Sequence, residues 1–237
     1  MFETAAYPYF EEVNLGLLRL WGGRRGLDVL DVGCGYAMTS QHLKGNRVTG
    51  IESNPDAVKV ARTRIDCVVE RDLQDFDPNL GSFDVIIFAD VLEHLAWPVG
   101  VLRQYLALLK PHGTVIVSLP NVGLWSVRLQ HLAGRFDYEE TGVLDRTHLR
   151  FFTRRSALRM LDAAGLKPLR RTYNPGLVRP FVPLVKRMIA GGARPDAIHE
   201  SRLYKLYLQA VHPVERTVAR AWPGMLAFQM IFEAARK

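Results

Sequence analysis

The sequence predicts an α/β protein built on a doubly wound parallel sheet, and three observations carry that prediction. Short apolar, β-branched runs recur along the chain with helical segments between them, the alternation that places helices on both faces of a parallel sheet. The first of these runs, VLDV, passes straight into the glycine turn GCG, as a strand does when it hands the chain to a ligand-facing loop. The 237 residues, 48% of them hydrophobic, suffice for one large core.

The elements run in order along the chain. Residues 1–26 hold Tyr7, Tyr9 and Phe10 ahead of a helix, EEVNLGLLRLW. LDVLDV is the first strand and RVTGIE the second; Asn54 then caps a helix, DAVKVARTRI, whose first turn tolerates Pro55. DCVVE and FDVIIFAD are the third and fourth strands. Leu102, Leu106 and Leu109 share one face of a helix that Lys110-Pro111-His112-Gly113 stops before the fifth strand, GTVIVSLP. Thr153 caps a further helix whose Leu158, Leu161 and Ala164 face inward before Gly165. LKPLRRTY and LAFQMIFEA complete the strands. Between them, 174–222 is rich in Pro, Arg and aromatics and reads as a helical insertion or lid. The whole chain, 1–237, is expected to be one domain: an N-terminal helix or gate at 1–26, a core at 27–173, that insertion at 174–222, and the last strand at 223–237.

Charge divides unevenly. Residues 1–120 hold 11 Lys or Arg against 15 Asp or Glu, whereas 121–237 hold 20 against 9. The basic half suits phosphate, carboxylate, nucleic acid or an anionic membrane surface, besides simply solvating helices. No basic-plus-apolar leader and no membrane-length apolar run is present, so the cytoplasm is the expected compartment. Cys34 and Cys67 lie far apart and suggest neither a disulfide framework nor a zinc site.

The glycine turn alone is a weak signal. A dinucleotide fingerprint needs a third glycine at position 38, where Met38 stands, and the Gly-Lys-Ser/Thr of a phosphate-cradling loop is absent. Together with the motifs C-terminal to it, the turn is specific: VLDVGCG, Glu52 ending the second strand, Asp72 after the third, FDVIIFADVLEHL on the fourth and LLKPHGTVIVSLPN through the fifth. In this order and spacing, from about 27 to 165, the chain resembles class I S-adenosylmethionine-dependent methyltransferases. That resemblance implies a Rossmann-like sheet of seven strands, mostly parallel with an antiparallel last strand, and S-adenosylmethionine as cofactor. It places Gly33, Cys34 and Gly35 along the methionine part of the cofactor. Glu52 is expected on the ribose hydroxyls with Ser53 beside it, Asp72 and Leu73 around the adenine, and Ala89 and Asp90 at the methionine end. A carboxylate suits a vicinal diol because it only accepts hydrogen bonds. Asp31 is placed to brace the loop or sense the ligand's ammonium. Ala37 stands where the family often has glycine.

Methyl transfer from a sulfonium chiefly requires alignment and exclusion of water, but a hydroxyl acceptor also needs its proton taken by a base or released by a metal. ADVLEHL and LDRTHLRFFT supply such groups at the carboxyl edge of the sheet. His148 is the preferred base, oriented by Asp145 or Glu93, with His94 and Glu93 the other catalytic candidates. This pairing resembles bacterial small-molecule and sugar methyltransferases and, more distantly, ubiquinone-pathway and small-RNA-terminus methyltransferases. In those distant relatives a comparable set binds a divalent cation; here it would be Asp90, Glu93, His94 and His148, a reading ranked below the base. Tyr7, Tyr9, Asn121, Arg146 and Arg150 are the substrate-side candidates. The expected activity is O-methylation of a small or carrier-linked molecule such as a sugar. The alternatives are nucleic-acid methylation, although SLPN replaces the Asp/Asn-Pro-Pro-Tyr motif, and a non-catalytic, cofactor-binding accessory with peripheral membrane contact through 174–222.

Overall fold

The computed structural model describes residues 13–178 and 207–237. The strands are β1 (Asp28–Val32), β2 (Arg47–Glu52), β3 (Cys67–Glu70), β4 (Phe83–Ala89), β5 (Leu109–Pro120), β6 (Leu166–Pro175) and β7 (Ala227–Arg236). They form one seven-stranded sheet in the order β3-β2-β1-β4-β5-β7-β6. β7 runs antiparallel to both its neighbours, β5 and β6, while the pairs on the other side are parallel. The fold expected from the sequence is thus the fold observed. From β1 the chain winds outward to β2 and β3, then returns to β4 on the other side of β1. The carboxyl ends of β1 and β4 therefore open a crevice, the usual ligand position in doubly wound sheets.

The central strands are apolar on both faces because helices cover both. Val29, Leu30, Val32, Ile86, Val115, Ile116 and Val117 are fully or almost fully buried. On one side α1 (Leu15–Trp21) packs Leu17, Leu20 and Trp21 against Val29, Val85 and Ile116. On the other, α3 (Pro98–Leu106) and α5 (Arg154–Ala163) bring Val101, Leu102, Met160 and Leu161 to Leu30, Ile86 and Phe88. The remaining α-helices among the described residues are α2 (Pro55–Ala61), α4 (Trp125–Leu132), α6 (His212–Ala221) and the short α7 (Pro223–Leu226).

The caps behave as their residue types dictate. Asn54 accepts from the Asp56 and Ala57 amides, and Thr153 with Ser156 closes a capping box at α5. Two boundaries differ from the sequence expectation. α2 ends at Ala61 because Thr63 and Arg64 bond three residues back, tightening the turn before β3. Leu109 lies on β5 and not on the preceding helix: it pairs with Phe83, and the strand bulges between that pair and Thr114 opposite Val85. β6 runs on to Pro175 and β7 starts at Ala227, so the described part of 174–222 is the end of β6, its next residues and the helical stretch through α6. Among the described residues no helix is long and apolar enough to cross a membrane.

Candidate active site

A cavity of about 410 Å³ occupies the crevice, a volume in the usual range for small-ligand sites. Asp31, Gly33, Cys34, Gly35, Glu52, Leu73, Ala89 and Asp90 line it. A smaller cavity of about 70 Å³ shares Gly33, Glu52 and Leu73 and adds Ser53 and Asp72. Every residue the sequence assigned to the cofactor therefore meets at one crevice.

The turn has the backbone the sequence implied. Gly33 and Gly35 have φ of +70° and +52°, and a Cβ on Gly33 would come within 2.7 Å of Val91 Cγ2. Ala37 takes φ +55°, a left-handed conformation that glycine adopts more readily than alanine. Glu52 fastens this turn to the end of β2. Its Oε2 accepts from the Gly35 amide at 2.9 Å, and its Oε1 from Ser53 and Asn54 at 2.8 Å each. These bonds use three of the roughly four lone-pair positions of a carboxylate. Holding both hydroxyls of a ribose thus requires a shared or displaced amide bond. Asp31 is buried, and its pKa is pushed up to about 6 by burial and by the nearby Glu52 carboxylate. Burial pushes the Cys34 thiol up as well, which disfavours its thiolate.

Asp90 also has a left-handed backbone, φ +57°. Ser118 Oγ donates to its Oδ1 at 3.0 Å and Gln229 Nε2 to its Oδ2 at 2.5 Å. Asn14 donates to Ser118, and Asn174 donates to both Asn14 and Gln229. This polar chain links α1, β5, β6 and β7 to the cavity wall, and it commits both oxygens of Asp90. Asp90 accordingly stands apart from the cation set proposed with it: among the described residues, Glu93, His94 and His148 alone bring ligand atoms within 4.8 Å of one another.

Glu93 and His94 lie on a 3-10 turn after β4, Leu92–His94. The Glu93 carbonyl accepts from the Leu149 and Arg150 amides, which docks the 144–153 stretch beside the crevice. His94 and His148 stack edge to face, ring centres 4.8 Å apart. His148 Nε2 is 4.0 Å from Glu93 Oε1. Glu93 is 0% exposed, and neither its oxygens nor His148 Nε2 has a hydrogen-bond partner. Burial, with Asp90 and then Asp145 nearby, holds the Glu93 carboxyl well above the usual carboxylate range. Burial also lowers the pKa of His94, with His148 adding to the effect, and that of His148. The cluster thus sets two imidazoles biased toward their neutral form against a carboxyl biased toward holding its proton. Two imidazoles and a carboxyl at this spacing fit a divalent cation, and equally fit a proton relay.

Only His94 of the three catalytic candidates lines the cavity; His148 and Glu93 stand behind it. The described substrate-side candidates, Asn121, Arg146 and Arg150, are not at the cavity wall. Arg146 is exposed and paired with Glu140, and the Arg150 guanidinium donates to the Ala96 carbonyl at 2.7 Å. Asn121 is buried, donates to the Ala227 carbonyl and accepts from the Gly123 amide, a bracing role between β5 and β7. Tyr7 and Tyr9 lie outside the described residues. The sequence reading missed Asn14, Met38, Thr39, Val91, Leu95 and Thr147 on the wall. Thr147 sits inside a stretch whose chemistry the sequence does signal, whereas nothing in a helix-capping Asn14 signals a cavity.

A sequence profile described as "Methyltransferase domain" matches residues 6–170. The chain is 32% identical over 158 residues to a ubiquinone biosynthesis O-methyltransferase of Idiomarina loihiensis, covering 62% of this chain and 64% of that protein. It is 38% identical over 107 residues to the enzyme of that name from Xanthomonas campestris pv. campestris, covering 40% and 44%. These matches span less than two thirds of the length of either relative. Among solved structures, a SAM-dependent methyltransferase from Archaeoglobus fulgidus shares the fold at 18% identity, with TM-score 0.57 over 93% of this chain and 91% of that one.

Proposed function

The chain belongs to the methyltransferase domain family, whose cofactor is S-adenosylmethionine, and we propose that it methylates a hydroxyl of a small or carrier-linked acceptor, sugar hydroxyls included. The carrying observation is the Glu93–His94–His148 cluster behind the cavity wall. An amine or carboxylate acceptor needs no base, whereas a hydroxyl must lose its proton, and this cluster offers acceptors for it. The name of the relatives, O-methyltransferases of ubiquinone biosynthesis, supports the same class of acceptor.

S-adenosylmethionine, when bound, supplies an electrophilic methyl group on a cationic sulfur. The remaining work falls to the chain. Gly33 and Gly35 let backbone approach the ligand, Glu52 holds a ribose hydroxyl while keeping the turn closed, and ionised Asp31 favours the ligand's positive charge. His94 receives the acceptor proton at the cavity wall, with His148 and Glu93 behind it. The wall is largely apolar through Leu73, Ala89, Val91 and Leu95, which limits water beside the reacting atoms.

A second reading places a divalent cation on Glu93, His94 and His148, where it would lower the pKa of a bound hydroxyl. The unpartnered Glu93 oxygens and His148 Nε2 favour it. Incubation with methyl-labelled cofactor and fractionated cell extract tests both. Label in a small or carrier-linked product that resists RNase supports the proposal, and label confined to RNA contradicts it. Loss of transfer on chelation, restored by magnesium or manganese, supports the cation. His148→Ala is expected to keep cofactor affinity and slow turnover; an unchanged rate removes His148 from the chemistry.

A further inference from the structure

His94 is the cluster's contact with the cavity, so the nitrogen that carries its proton decides what the cluster can do there. The surrounding donors and acceptors fix the answer. The Thr147 hydroxyl lies 2.6 Å from Asp145 Oδ1, and a carboxylate oxygen can only accept. Thr147 has one hydroxyl proton, which this short bond uses. Its oxygen, 3.1 Å from His94 Nδ1, is left to accept. The Thr147 carbonyl, 3.3 Å from the same nitrogen, is also an acceptor. Two acceptors therefore face Nδ1, and a neutral imidazole has a single proton to share between its nitrogens. That proton belongs on Nδ1.

We propose that Asp145 and Thr147 are positioning residues that lock His94 in the Nδ1–H tautomer and leave its Nε2 lone pair as the reactive nitrogen at the cavity wall. The proposal rests on the functional reading above, since a proton acceptor or a cation ligand is useful only if hydroxyl methylation occurs there. Asp145 is 2% exposed, and its Oδ1 also accepts from the Thr147 amide at 2.7 Å, so the hydroxyl is aimed by two bonds. His148 obeys the same rule by a different device. Its Nδ1 is 3.2 Å from the Val143 carbonyl, which leaves Nε2 as the lone pair 4.0 Å from Glu93. Both imidazoles thus turn the same kind of nitrogen outward from their backbone anchors. This is the outer bonding by which proteins orient histidines that take up protons or metals. It also gives Asp145 a role different from the one expected in the sequence: it acts on His94 through Thr147.

Ring-nitrogen NMR of the full chain, labelled with 15N-histidine and kept in chelator at neutral pH, reads the tautomer directly. His94→Gln assigns the resonance. The wild type is expected to show the Nδ1–H pattern, and Thr147→Ser to preserve it. Thr147→Val removes one acceptor and should yield a mixture. Asp145→Asn frees or reverses the hydroxyl proton and should shift His94 toward Nε2–H. A wild-type Nε2–H pattern, or a pattern unmoved in both Thr147→Val and Asp145→Asn, overturns the proposal. In methyl transfer, Thr147→Val should lower kcat by about 10–100-fold with unchanged cofactor Kd, and Thr147→Ser should recover it. The tautomer needs no acceptor molecule to be measured. A correct tautomer without methyl transfer would therefore reject the functional reading and leave the locking device standing, whereas transfer with the wrong tautomer would do the reverse.

Discussion

Replacing Glu52 by glutamine keeps the shape and removes one acceptor, which makes Glu52→Gln a sharp test of how the crevice is held. In the wild type one carboxylate oxygen takes the Gly35 amide and the other takes Ser53 and Asn54. Glutamine has a single acceptor oxygen. Its better orientation keeps the Ser53 and Asn54 bonds and turns an NH₂ group against the Gly35 N–H, donor against donor. An unsatisfied buried donor costs about 1–3 kcal/mol. For a domain of this size that lowers Tm by about 2–12 °C. Loss of a charged acceptor for the ribose costs about 1.5–3 kcal/mol more in binding, about a 10–150-fold rise in Kd. Thermal unfolding gives the first number and titration calorimetry with S-adenosylmethionine the second. Unchanged Tm and unchanged Kd together would refute the role of Glu52 as fastener and ligand.

Gly33→Ala should destabilise by about 1–2 kcal/mol from the left-handed backbone alone, measured by urea unfolding. Adding Val91→Ala to it should relieve only the contact part, because the added Cβ meets Val91 at 2.7 Å. Asp31, with its pKa raised to about 6, favours a cationic ligand only when ionised, so affinity for S-adenosylmethionine should fall as pH drops through that value. One pH unit below it about a tenth of the carboxylate remains, and Asp31→Asn should flatten the dependence in calorimetry across pH 5–8. Glu93→Met should raise Tm in chelator while abolishing transfer. The sign comes from the raised pKa of Glu93: the native state binds the proton more tightly than the unfolded state, so the wild type loses stability as pH rises above the ordinary 4.5. The gain in Tm should accordingly widen from acid to neutral pH.

The sheet was legible because its signals are local. β-branched runs, Asn54, Thr153 and the glycine turn each act within a few residues, and the structure places each where those local rules put it. Leu109 misled because its spacing with Leu102 and Leu106 fits a helix, and only pairing with Phe83, distant in sequence, draws it into β5. The residues that line the crevice were legible from motif order. The acceptor side was not. Arg146 and Arg150 have the right chemistry, but Glu140 and the Ala96 carbonyl engage them. Asn121 succeeds a strand end that often faces ligand, yet its amide is spent on β7. Thr147 gains its meaning from a histidine 53 positions earlier, and the Asn14–Ser118–Asp90–Gln229 chain joins four separate parts of the sequence. No periodicity marks such contacts.

Calorimetric titration of the purified protein with S-adenosylmethionine and with its demethylated product tests the central claim most directly. Saturable one-site heat is expected with both, weakened in Glu52→Gln. No heat with either, together with binding of a nicotinamide dinucleotide or a nucleoside triphosphate in the same crevice, would contradict it.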